Sequence, residues 1–227
     1  MLSTRDKILQ SAETLLSEQG IASTSLRDIT SHAEVNLAAV NYHFGNKQQL
    51  VFEVFQRRLD SLNNERLQHL EKVLNNSEGI SLEAVLEALI YPALVLSRDT
   101  KKGGSRFVKL VARVYAENNQ ELHSFLANHY GYVMKRFAKT IQTILPDMPS
   151  HELRWQLDFV IGALTYVMAD FSGHFSKSKK PKLDALSEAN RLVIFAANGM
   201  RSFEPAMAQN DLFVAAQFSA PQSLKQP

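Results

Sequence analysis

At 227 residues with 45% hydrophobic content, the chain can bury a substantial core as one large domain or two small ones. The absence of cysteine excludes disulfides, thiolate metal sites and a cysteine nucleophile and suits a reducing cytoplasm; the charged, amphipathic start MLSTRDKILQ and the lack of any apolar run near about 18 residues argue against a secretory signal or a membrane span. The formal net charge is +2, yet the first 66 residues carry seven Lys/Arg against eight Asp/Glu, so any DNA binding there must rest on a few local contacts.

Apolar residues recur at three- and four-residue spacing along most of the chain, which predicts an all-α protein. The first helix is expected over 4–19, with Ile8, Ala12, Leu15 and Leu16 as its apolar stripe, a capping box from Ser3 and Asp6, and Gly20 as its stop. Ser25 and Asp28 repeat the capping pattern for a short second helix ending near Ala33, with Leu26 and Ile29 inward. Asn36 caps a third helix over 37–43 after a three-residue turn of Glu34, Val35 and Asn36. Two short helices at so tight a turn predict a helix-turn-helix. Gly45 and Asn46 break that helix, and Asn46 with Gln49 opens a long fourth helix to about residue 75.

Further helices are expected at 81–97, bent or interrupted at Pro92, then at 104–117, 119–145, 150–172 and 183–202. Their separators are the Lys-Lys-Gly-Gly run at 101–104, the Pro146–Pro149 segment and the lysine-rich 176–182, which reads as a solvated loop. Residues 204–227 read as a flexible tail.

In the third helix Val40 and Phe44 continue the apolar face of Leu26, Ile29, Ala33 and Val35. The opposite face shows Leu37, Ala38, Asn41 and Tyr42, suited to a major groove. Ala38 and Ala39 permit close backbone approach, Asn41 suits a base edge and Leu37 a thymine methyl. Tyr42, His43 and Lys47 are within reach of phosphates, aided by the N-terminal end of the fourth helix.

The stretch TSLRDITSHAEVNLAAVNYHFGNKQQL at 24–50 resembles the DNA-binding signature of the TetR family of bacterial transcription regulators. Ser25, His43, Phe44 and Lys47 occupy its matching positions, and Asn36 belongs to the same reader. Asn41 stands where the family usually has Tyr. Glu34 stands where the turn usually has Gly, which places a non-glycine in a strained turn at a cost of about 1 kcal/mol. The run VNLAAVNYHFG is also similar to a subgroup that responds to long-chain fatty acids or acyl-CoA.

The resemblance implies a reader at 1–50 and a helical effector and dimerisation domain at 51–203. It further implies double-stranded operator DNA as partner, a homodimer formed by the last two long helices, a small hydrophobic effector, no cofactor and no membrane. Apolar faces at 155–171 and 186–200 fit such helix packing. Candidate effector contacts are Phe107, Leu110, Val111, Val114, Leu126, Tyr130, Met134, Phe137 and Met168, with Arg106 and Arg113 as receivers of an acidic head. Rival readings are a helical adaptor without DNA binding, or an enzyme built on His123, His129, His151 and His174 with Asp158 and Asp170, although no metal-ligand spacing or phosphate loop is present.

Overall fold

A computed structural model describes residues 2–77, 79–99, 103–116, 119–169 and 183–203. Within them the chain forms nine helices: α1 (Thr4–Gln19), α2 (Leu26–Ala33), α3 (Leu37–Phe44), α4 (Lys47–Leu74), α5 (Leu82–Arg98), α6 (Gly104–Ala116), α7 (Gln120–Ile144), α8 (Ser150–Met168) and α9 (Ala185–Arg201). The all-α expectation holds, with helix limits within a few residues of those predicted. The lysine-rich 176–182, the end of the helix expected to reach 172, Asp170, His174 and the tail lie outside the described residues.

Local chemistry starts these helices where the sequence asks for it. Ser3, Ser25, Asn36, Asn46 and Ser81 each accept a hydrogen bond from the backbone N–H three residues on, which satisfies one of the free donors of α1 to α5. Asn119 and Asp184 do the same for α7 and α9. In α2 the box is reciprocal: the Ser25 N–H donates back to the Asp28 carboxylate at 2.9 Å. The Ser25 hydroxyl and backbone bonds hold the Asp28 carboxyl below its usual acidity range.

The first four helices contribute one end of a continuous core. Ile8, Ala12 and Leu16 of α1, Ile29 of α2, Val40 of α3 and Leu50 of α4 are fully excluded from water, and Phe44 is nearly so. Each large aliphatic buried this way stabilises the fold by about 1.5–3 kcal/mol, more than these short helices could supply from propensity alone. The Arg5 guanidinium pairs with Glu53 and lies over the Phe44 ring, tying α1 to the α3–α4 corner. Deeper in the joint, Arg58 of α4 grips the nearly inaccessible Glu13 of α1 through three hydrogen bonds of 2.9–3.0 Å.

Helix α5 is apolar on almost every side and packs against α4, α6, α7, α8 and α9, with Leu82, Val85, Leu86, Leu89, Ile90, Ala93 and Leu94 fully buried. It runs on through Pro92, which the sequence marked as a bend or break. Proline removes one helical donor and disturbs the carbonyls of the preceding turn. The donor that Pro92 lacks is the one owed to the Ala88 carbonyl; one residue on, the Leu89 carbonyl accepts from Arg66 Nε of α4 at 2.9 Å, which ties α4 to this turn. Helix α9 is fastened to α5 by Arg98 with Glu188 and Arg201 with Glu83.

Candidate nucleic-acid interface and effector cavity

The turn between α2 and α3 aims the third helix outward. Val40 and Phe44 anchor its inner side, while Leu37, Ala38, Asn41 and Tyr42 face solvent, Tyr42 with 85% of its surface exposed. Ala39 is half-buried against the core and so offers less to a groove than Ala38. His43 is half-buried with its ring edge-on to Tyr42, and Lys47 is half-buried at the first turn of α4. Two expected DNA contacts have prior engagements: the Asn36 side-chain oxygen caps Ala39 N–H at 2.8 Å, and the Ser25 hydroxyl is held in its capping box. Asn36 keeps its amide N–H donors, while Ser25 must loosen its bond to Asp28 to donate to a phosphate. Arg27, exposed in the first turn of α2 beside this face, is a basic group the sequence reading passed over. Its signal was a lone arginine inside a segment of net negative charge.

The second feature is an open-sided cavity of 1120 Å³ lined by α4, α6, α7 and α8 and by Ala93 of α5. Its volume slightly exceeds the range of about 300–1,000 Å³ usual for small-molecule sites, and most of its lining is apolar. Of the expected contacts, Phe107, Val111, Val114, Leu126, Tyr130, Met134 and Met168 line it. Leu110 and Phe137 do not: both are fully buried in packing between helices. The two arginines are also elsewhere. Arg113 donates to the carbonyls of Ser17 (3.2 Å) and Glu18 (2.7 Å) at the end of α1, where it neutralises a helix C-terminus. Arg106 packs with Arg58 against Gly103, whose backbone leaves room for both guanidiniums.

The wall of the cavity reaches the reader through α4. Phe55, Leu59, Leu62, Asn63 and Arg66 line the cavity, and only two residues separate the start of the same helix from the end of α3. At 28 residues it is about 42 Å long. Across the cavity Tyr130 of α7 donates to Asp60 of α4 at 2.9 Å, and burial together with this bond pushes its hydroxyl above the usual phenol range.

Residues 8–54 match the family described as bacterial regulatory proteins, tetR family, and residues 87–199 match the tetracyclin repressor-like C-terminal domain. The chain belongs to the TetR family. Within it, 60 residues are 38% identical to the transcriptional repressor KstR2 of Mycolicibacterium smegmatis, covering 26% of this chain and 29% of that one. A stretch of 102 residues is 32% identical to the regulator TtgR of Pseudomonas putida, covering 44% and 46%. These alignments therefore span less than half of either relative. The fold is similar to that of the regulator FadR from Bacillus subtilis, solved in complex with stearoyl-CoA, with a TM-score of 0.58, 14% identity and coverage of 86% of this chain and 98% of that one. The family is one of bacterial regulatory proteins, and this TetR protein carries two short helices, α2 and α3, at a tight turn within the matched residues.

Its turn carries the strain expected of a TetR reader with glutamate in place of glycine. Glu34 has φ 54° and ψ 47°, the one non-glycine residue with positive φ among those described. The turn is a Schellman closure: Val35 N–H donates to the Thr30 carbonyl at 3.0 Å and Glu34 N–H to Ser31 at 3.3 Å. A left-handed residue other than glycine costs about 1–2 kcal/mol, of which glycine's extra chain entropy returns about half. Glu34→Gly is expected to stabilise the protein by about 0.5–1 kcal/mol, read from the urea midpoint, whereas Glu34→Val is expected to destabilise it.

Among the described residues no group of three His, Cys, Asp or Glu side chains is placed to hold a metal ion, and no helix is long and apolar enough to cross a membrane.

Proposed function

We propose that this TetR protein is a cytoplasmic homodimeric repressor that reads a roughly palindromic operator with α3 of each protomer and leaves it when a hydrophobic effector, such as a fatty acid or acyl-CoA, fills the cavity. The observation that carries this reading is α4, a single helix that lines the cavity along its middle turns and starts beside the recognition helix. A tilt of α4 changes the spacing of two recognition helices that must sit about 34–36 Å apart to enter successive major grooves. Asn41 and Leu37 serve base edges, and Tyr42, His43, Lys47 and the α4 N-terminus serve phosphates. The complex of FadR with stearoyl-CoA supports an acyl effector in a cavity of this kind.

The dimer rests on a face the monomer leaves open. Trp155, Phe159 and Tyr166 of α8 and Leu186, Ile194 and Phe195 of α9 are exposed large hydrophobics, Phe195 at 72% and Phe159 at 62%. So much apolar surface on two neighbouring helices is characteristic of an interface, and a second copy burying the same face makes a symmetric four-helix contact.

Footprinting on DNA upstream of the gene is expected to show two protected half-sites one helical turn apart or a multiple of it. Phe195→Glu, an exposed position, is expected to run as a monomer in sedimentation and to lose that protection. A dimeric Phe195→Glu protein with full protection would place the interface elsewhere, and a parent protein that protects no DNA would favour the adaptor reading.

A further inference from the structure

We infer that the cavity takes a long-chain amphiphile whose head carries more than one negative charge, with the head held between Lys139 of α7 and Arg154 of α8. The inference rests on the effector reading above and deepens it.

Gln142 Nε2 donates to the carbonyls of Leu145 (3.0 Å) and Met148 (2.8 Å), closing the α7–α8 turn so that the two helices run antiparallel from it. Stepping outward one helical turn at a time, Thr143 and Ser150 come first, Lys139 and Arg154 next, then Lys135 and Asp158; all six line the cavity, and all six are solvent-exposed. The cavity therefore opens as a slot between these helices.

The slot is electrically lopsided. At the third level Lys135 and Asp158 balance, whereas at the second Lys139 and Arg154 are both cations. Among the described residues neither makes an ion pair or side-chain hydrogen bond, so two like charges share the rim without a carboxylate between them. An anion there gains from both, and Arg supplies the forked donor geometry that suits phosphate. Farther along α7 the slot edge turns to Ala127 and Gly131, and inside it lie Phe107, Val111 and Met134. Charge at one end and a deep apolar space at the other specify an amphiphile.

Binding of palmitoyl-CoA, 1-hexadecanol and coenzyme A alone to the full chain, each below any micellar concentration, tests this by calorimetry. The parent is expected to bind palmitoyl-CoA about tenfold or more tightly than hexadecanol, by a margin that shrinks with salt, and coenzyme A alone only weakly. Lys139→Glu/Arg154→Glu, exposed positions whose change leaves the fold intact by circular dichroism, is expected to erase that margin and leave hexadecanol binding unchanged. A double variant that binds palmitoyl-CoA like the parent, or a parent that does not distinguish the charged from the neutral amphiphile, overturns the head site while the hydrophobic effector stands. Coenzyme A binding as tightly as its palmitoyl thioester overturns the placement of the chain, and a parent that binds neither amphiphile overturns the effector reading together with this one.

Discussion

Glu13→Ala is expected to destabilise the protein by about 3–5 kcal/mol, the usual cost of removing one partner of a buried ion pair. Glu13 keeps only 3% of its side-chain surface and Arg58 15%, so water replaces little of what is lost. The surroundings add to the penalty. Arg106 packs beside Arg58 at Gly103, and its buried Nε has no hydrogen-bond partner among the described residues, so removal of Glu13 leaves two guanidiniums together with one fewer anion. Because the pair joins α1 to α4, the loss is felt at the seam between reader and effector domain. Urea unfolding measures it, and Glu13→Leu/Arg58→Met is expected to recover most of it because neither charge is then stranded. A loss below about 1 kcal/mol for the single change would mean that the pair behaves as a surface contact.

The second large effect concerns the reader. Asn41→Ala/Tyr42→Ala is expected to weaken operator binding about a hundredfold or more, since a good side-chain contact to a base edge is worth about 1–3 kcal/mol and the proposed role of Tyr42 is a further contact to phosphate. Both side chains are exposed, so the melting temperature is expected to stay within a degree or two of the parent's. Lys47→Ala is expected to act differently, lowering affinity on all sequences alike and reducing the salt slope by about one unit. Anisotropy titrations at several salt concentrations separate the two behaviours. Unchanged affinity in the double variant would remove α3 from the groove.

Much of this protein was legible because its elements announce themselves locally. Ser25 with Asp28, Asn36 and Asn46 are caps whose partners stand three residues away, so helix starts could be read without tertiary knowledge. The inward Val40 and Phe44 and the outward Asn41 and Tyr42 follow from one helix's period. Glu34 was legible for the same reason, since strain in a three-residue turn is a local property.

What was hidden depends on how helices meet. The period of α6 marks Arg106 and Arg113 as neighbours two turns apart, yet only docking against α1 decides that Arg113 meets the carbonyls of Ser17 and Glu18 and never faces the cavity. Leu110 and Phe137 satisfy the same apolar pattern as Val111 and Met134; periodicity finds an apolar face but does not tell packed side chains from a void. Lys139 and Arg154 are 15 positions apart and come to one level only through the α7–α8 hairpin. At Pro92, where a bend or an interruption was expected, the helix runs on, and the turn around it is tied to α4 by Arg66 at the Leu89 carbonyl, a contact no local pattern reveals.

The central claim is that cavity and operator are coupled through α4. Its most direct test is the affinity of the protein for a fluorescent operator fragment, by anisotropy at fixed salt, with and without saturating palmitoyl-CoA. The account predicts that the ligand weakens operator binding by about tenfold or more and that the operator weakens ligand binding by the same factor, as reciprocal coupling requires. Tight binding of palmitoyl-CoA in the cavity with operator affinity unchanged would contradict it.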